Sequence, residues 1–244
     1  MKNIAKMCRT FCGCVALSCL SALFAGCATP ESPSVVVRGD ALDAAAQQVD
    51  PKPVLVVDLD DTVVEGGFWN SLRLALGLFY GSTPPLENAP THLRELERDW
   101  NIVFVTARSG FLDQRTIAWL DRHEFPRAPV FFSSRWLLSS ERREEYKSLV
   151  IVEIKQRGLT PRFGVGDKAS DLGAYYRNDM ESILLLSGPE DPDLDKTLER
   201  FGVDEIDDGR LTDSIDLVLF DPATSCARLS SHLDLSRGGE APGT

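Results

Sequence analysis

Four apolar residues in succession, Val54, Leu55, Val56 and Val57, run directly into Asp58-Leu59-Asp60-Asp61-Thr62. An unbroken apolar run of this length describes a strand covered on both faces, whereas a half-exposed strand would alternate with polar residues. Comparable runs recur at residues 102–105, 129–132, 163–166 and 182–186, with helical spacing between them. Alternation of this kind predicts an α/β fold, a Rossmann-like three-layer sandwich with a central parallel sheet and helices on both faces. In such sheets ligands bind in the crevice beyond the carboxyl ends of the strands, so functional residues are to be sought there.

The intervening helices are expected at residues 68–79, at 91–99 after a loop spanning 81–90, and at 112–122, where Ile117, Trp119 and Leu120 supply the apolar face. Ser140 and Glu141 open another, which runs to Gln156 and is ended by Gly158, and a further helix spans 170–176. Beyond Asp191 the pattern weakens to a helix at 194–201 and an apolar patch at 215–220. Between Thr62 and Ile102 there is room only for a short helical insertion, a minimal cap over an almost open site. Phe68 and Trp69 in that insertion fit core positions better than an entrance lining.

The amino terminus has a different grammar. Lys2, Lys6 and Arg9 precede an apolar stretch at residues 11–25, then Gly26 and Cys27, which reads as a secretory signal over residues 1–26. Leu23-Phe24-Ala25-Gly26-Cys27 resembles the bacterial lipobox, which implies a lipidated Cys27 anchoring an exported lipoprotein, in the outer membrane facing the periplasm if the host is diderm. Residues 27–52 have the composition of a flexible tether with room for a short helix near residues 40–48, 53–229 form one domain, and 230–244 read as a disordered tail. Of six cysteines only Cys226 lies beyond this segment, so a mature chain would have no internal disulfide framework. Loss of the signal would take the formal charge from −11 to −14, a balance that argues against a nucleic-acid partner. It leaves oligomeric state open.

Three of the expected strands end in polar residues suited to one site: Asp58 with Asp60, then Thr106, then Asp167. Side chains alternate along a strand, so Asp58 and Asp60 share a side and can act on one small group. A single acid at a strand end is an ordinary helix cap; three converging strand ends are not. Other chemistries lack their parts: His92, His123 and His232 have no metal-ligand spacing, and there is neither a Gly-x-Ser-x-Gly elbow nor a Walker A loop.

In this order and strand context the residues resemble the haloacid dehalogenase-like (HAD) phosphatases. Asp58-Leu59-Asp60-Asp61-Thr62 corresponds to the first motif, Thr106 to the second, and Gly166-Asp167-Lys168-Ala169-Ser170-Asp171 to the fourth. The third is a lysine on the preceding helix. Of Lys147 and Lys155, Lys147 lies three and four residues before Val150 and Ile151 on the apolar stripe, and is therefore the one facing inward. The resemblance implies a Mg²⁺-dependent phosphomonoester hydrolase. Asp58 would be the nucleophile that forms an aspartyl-phosphate, and Asp60 the acid and base; Thr106 and Lys147 would cradle the phosphoryl oxygens. Mg²⁺ would be held by Asp58, Asp167 and the backbone carbonyl of Asp60, with Asp171 orienting Lys147 or a metal-bound water, and Asp61 without a catalytic role.

Two relatives are suggested. Thr106-Ala107-Arg108-Ser109, Glu145-Tyr146-Lys147 and Gly164-Val165-Gly166-Asp167 resemble the catalytic domain of lipin-type phosphatidate phosphatases. The first motif on an exported lipoprotein is similar to bacterial class C acid phosphatases. The substrate is accordingly a phosphatidate-like lipid or a small phosphomonoester. The alternative function is a lipoprotein that binds phosphate or phospholipid headgroups without turnover.

Overall fold

The structure, a computed structural model, describes residues 35–64, 83–135 and 138–186, with two short strands and scattered positions beyond, all within the unit Ser32–Thr244. The strands are β1 (Val35–Val37), β2 (Val54–Val57), β3 (Asn101–Ser109), β4 (Val130–Ser133), β5 (Pro161–Gly166), β6 (Glu181–Leu186), β7 (Arg210–Thr212) and β8 (Ile215–Leu219). The helices are α1 (Gly39–Ala46), α2 (Ala89–Leu96), α3 (Asp113–Arg122), α4 (Ser140–Gln156) and α5 (Ala169–Tyr176). The helix expected at 68–79, with Phe68 and Trp69, lies outside the described residues, as does Cys27.

Among the described residues the sheet is ordered β1-β4-β3-β2-β5-β6-β8-β7. The strands from β4 to β8 pair in parallel, while β1 and β7 pair antiparallel at the two edges. This is the expected α/β architecture, and the alternation of side chains along β2 shows how it is held. Leu55 and Val57 enter one core with Leu93 of α2 and Trp119 and Leu120 of α3, whereas Val54 and Val56 enter a second with Leu42 of α1, Val150, Ile151 and Ile154 of α4 and Tyr175 of α5. A strand apolar at every position is stable only between two such layers.

From β2 the chain steps outward to β3 and β4, then returns to place β5 on the other side of β2. The strand order therefore reverses between β2 and β5, the position at which a parallel sheet opens a crevice. Asp58 ends one of those strands and Asp167 the other.

Three expectations require correction. Residues 35–46, assigned to a flexible tether, are part of the domain: β1 pairs with β4, Leu42 and Ala45 are buried, and Arg38 and Asp43 bond to Asp121 and Arg157. The short helix expected near residues 40–48 is α1, but its packing and the strand before it are not legible, because three valines make an edge strand only through a partner far along the chain. Leu233, assigned to the tail at 230–244, is fully buried in the first core. Finally, β3 continues beyond Val105 to Ser109, which places Thr106 and Arg108 within the strand.

Other boundaries move less. Helix α2 begins at Ala89, with Pro90 in its first turn, a position where the missing N–H costs nothing. The amide of Arg142 donates to the Ser139 hydroxyl at the start of α4, and past its end Gly158 takes a left-handed φ of 82°.

Candidate active site

Asp58 prolongs β2 by one residue: its amide donates to the Val165 carbonyl at 2.9 Å. Strand alternation thus carries past the last formal strand residue, with Leu59 buried in the first core and Asp58 on the opposite side. The backbone then turns sharply. The amides of Val63 and Val64 both donate to the Leu59 carbonyl at 3.0 Å, and Asp61 takes a left-handed φ of 61°, a conformation that aspartate tolerates better than most residues.

Lys147 reaches this strand end from the inward stripe of α4. Its ammonium donates to Asp58 Oδ1 at 2.7 Å and to Asp171 Oδ1 at 2.6 Å, with all three side chains buried. Lys155, the other candidate, is turned away and donates to the Asn178 carbonyl. Asp171 folds back from the first turn of α5 because residue 166 is glycine: a Cβ there would overlap the Asp171 carboxylate. The Lys168 amide closes this turn on Asp171 Oδ2 at 3.4 Å.

One ammonium therefore serves two buried carboxylates, and the electrostatics show the shortage. Burial pushes the Asp58 carboxyl up to about 7; Lys147 opposes this, while Asp171 and Asp60 add to it. Burial likewise raises Asp167 well above the carboxylate range, against the pull of Lys168. Lys147 is subject to the reverse balance: burial disfavours its charge, but Asp171 and Asp58 more than compensate and hold its pKa above the ordinary lysine value.

Carboxylate oxygens of Asp58, Asp167 and Asp171 lie within 4.8 Å of one another. An all-oxygen donor set suits a hard cation such as Mg²⁺, and a divalent charge would remove the penalty that raises Asp58 and Asp167. The donor set fits the expected ion. The resemblance implies Asp58, Asp167 and the Asp60 carbonyl as the residues to hold it; of these the cluster contains Asp58 and Asp167, with Asp171 as its third member, and Lys147 engages both Asp58 and Asp171.

Asp60 faces β3. The Thr106 hydroxyl lies 3.4 Å from its Oδ2, and the Arg108 guanidinium donates to both carboxylate oxygens at 2.6 to 3.1 Å. Arg108 carries no assignment from the sequence beyond the motif that contains it. Its position two residues after Thr106, on the same side of a strand, is the signal that finds it once β3 is known to continue. Two further contacts complete the floor. The Thr62 hydroxyl donates to Asp167 Oδ1 at 3.4 Å, and Lys168 bridges Asp167 to Asp61, at 3.0 Å from the latter. Asp61 thus ties the turn after β2 to the turn after β5. His123 packs against the Trp119 ring.

The arrangement defines a class: an α/β domain whose aspartates Asp58, Asp60, Asp61, Asp167 and Asp171 gather with Lys147, Lys168 and Arg108 at the switch point of a parallel sheet, resembling the HAD-like phosphatases. Residues 91–183 match the family model described as PITM 1-3, LNS2 domain. That span holds the β3, α4 and β5 residues of the site and stops short of Asp58 and Asp60. No curated protein matches the chain. Similar solved structures include an apo phosphoserine phosphatase, 15% identical over 60% of this chain and 90% of that one with a TM-score of 0.42. Another is the D,D-heptose 1,7-bisphosphate phosphatase of B. bronchiseptica with magnesium and phosphate, 16% identical over 75% and 99% of the two chains, TM-score 0.49. A third is the class C acid phosphatase of Bacillus anthracis with tungstate, 21% identical over 54% and 58%, TM-score 0.38.

Proposed function

We propose that this chain is a Mg²⁺-dependent phosphomonoester hydrolase working through an aspartyl-phosphate on Asp58. The observation that carries the reading is the pairing of two carboxylates from one strand end with different partners: Asp58 on the Lys147 ammonium, Asp60 on Arg108 and Thr106. A Lys-paired carboxylate is placed to attack, and its neighbour two residues on is placed to move a proton. Mg²⁺ on Asp58, Asp167 and the Asp60 carbonyl would neutralise charge on the transferred group.

In the first step an Asp58 oxygen forms a bond to phosphorus as the bond to the leaving oxygen breaks, and that oxygen takes a proton from the Asp60 carboxyl. In the second, Asp60 accepts a proton from water as the water oxygen bonds to phosphorus and the Asp58 carboxylate is released. Lys147 offsets the negative charge gathered at Asp58 in both steps and is itself kept in place by Asp171. Substrate class follows the two resemblances, a phosphatidate-like lipid or a small phosphomonoester. Lipidation at Cys27, and with it attachment of an exported chain to a membrane, belongs to the same proposal; among the described residues no helix is long and apolar enough to cross a bilayer.

The test is phosphate release from an aryl phosphate, from nucleotides and from phosphatidate, with and without Mg²⁺, alongside Asp58→Asn. Metal-dependent release that Asp58→Asn abolishes is expected. Binding of phosphate or headgroup without turnover would transfer the reading to a non-catalytic binding protein. Preference for phosphatidate or for nucleotides separates the two substrate classes.

A further inference from the structure

Arg108 is placed behind Asp60 rather than in front of it. Its side chain is wholly buried, while the Asp60 carboxylate it holds is 31% exposed. Nε lies 3.1 and 3.0 Å from the two carboxylate oxygens and Nη2 lies 2.6 Å from Oδ1, so the guanidinium plane fixes the carboxylate plane. The other arm of the fork is anchored: Nη1 donates to Thr116 Oγ1 on α3 at 3.0 Å, and that hydroxyl is also fully buried. The Arg108 amide in turn donates to Thr106 Oγ1 at 3.1 Å, which leaves the Thr106 proton to point at Asp60 Oδ2. The register of β3 on β4 shifts between Thr106 and Ser109, and the irregularity lies where both side chains address the same carboxylate.

We infer that Arg108 is the positioning residue for proton transfer by Asp60, holding the carboxylate in one orientation through a fork anchored on Thr116. The inference rests on the hydrolase reading above and deepens it. Lysine cannot take this part, because an ammonium is a point charge and does not fix a plane. Arg108 does not touch the transferred group; what it governs is how well Asp60 delivers a proton to the departing oxygen. An alkoxide needs that proton to leave, whereas a nitrophenolate leaves without it. Orientation of Asp60 is therefore read in the difference between two substrates.

The experiment compares Arg108→Lys with the wild-type chain on glycerol 2-phosphate and on 4-nitrophenyl phosphate, both with Mg²⁺ and each with a pH profile. Loss of kcat/KM about 30-fold greater on the alkyl ester than on the aryl ester is expected, a share of what acid–base catalysis supplies; kcat/KM reports departure of the leaving group alone, whereas kcat also contains the hydrolysis step that both esters share. Asp60→Asn is expected to show the same selectivity, and the double variant is expected to lose no more than Asp60→Asn alone, as for groups acting as one unit. If Arg108→Lys does not fold, Thr116→Val, which removes the anchor and keeps the guanidinium, must show the same bias toward the alkyl ester at a smaller amplitude. Equal loss of kcat/KM on both esters, or additive losses in the double variant, overturns the inference and leaves the hydrolase reading standing. Absence of release from either ester by the wild-type chain overturns both.

Discussion

Lys147 is the residue on which the charge balance of the site turns. Removing its ammonium, as in Lys147→Met, leaves the buried Asp58 and Asp171 carboxylates facing each other without a cation. Breaking a buried pair in this way is expected to cost about 3 kcal/mol at neutral pH, measured by urea unfolding. The same crowding makes stability depend on pH. Because the Asp58 pKa is raised to about 7 in the folded state, from an ordinary 3.8, the folded chain binds its proton more tightly than the unfolded chain does. That contribution is fully present below about pH 4 and is lost as pH rises through about 7. Asp167 is shifted in the same direction. Lys147 and Lys168, raised above the usual lysine value, contribute stability that persists throughout this window and does not cancel the trend. Metal-free protein is therefore expected to lose Tm between pH 5 and pH 8 through these carboxylates, and Asp58→Asn to flatten the slope. Added Mg²⁺, binding the ionised carboxylates, should raise Tm more at pH 8 than at pH 5. A Tm independent of both pH and Mg²⁺ would refute this account of the charge shortage.

At the scale of elements, the site depends on how two helices are pinned to the sheet. Helix α4 brings Lys147 and α5 brings Asp171, and they are joined on the far side of the cluster by Glu144 of α4, which is buried and paired with Arg177 at 3.0 Å and with Arg200. Gly173 of α5 is where they touch, since a Cβ there would strike the Glu144 carboxylate. The tightest constraint is at the end of β5. Gly166→Ala is expected to displace Asp171, slacken Lys147 and lower kcat at least tenfold, while Gly158→Ala, at a left-handed position with open space around it, should cost only about 1 kcal/mol and leave activity unchanged. Equal effects of the two alanines on activity would show that the Asp171 fold-back has no part in the chemistry.

For the whole molecule, the edge of the sheet matters. Beyond β4 the sheet is extended by β1, which becomes its edge, and α1 covers the second core with Leu42 and Ala45. At three residues β1 is a short edge strand, which offers a neighbouring chain few unpaired backbone groups. Leu42→Ala is expected to destabilise the domain by about 2 to 4 kcal/mol, as truncation of a fully buried leucine does, in a chemical unfolding series. No change would restore this stretch to the role of a tether.

The sequence by itself determined the class of fold and most of the site. Unbroken apolar runs such as Val54 to Val57 can be stable only between two covering layers, and acids or hydroxyls at the ends of such runs must collect at one rim of the sheet. The apolar stripe of α4 likewise selects Lys147, since periodicity alone decides which face of a helix is buried. These are local rules, and Asp58, Asp60, Thr106, Lys147 and Asp167 obey them, while Asp171 comes through the resemblance alone. Only the tertiary structure decided what depends on strand length and on partners far apart in the chain: that β3 continues far enough for Arg108 to reach Asp60, that Lys168 joins Asp61 to Asp167, and that residues 35–46 complete the sheet. No local pattern encodes those pairings, because each exists only once the reversal of strand order has brought β2, β3 and β5 side by side.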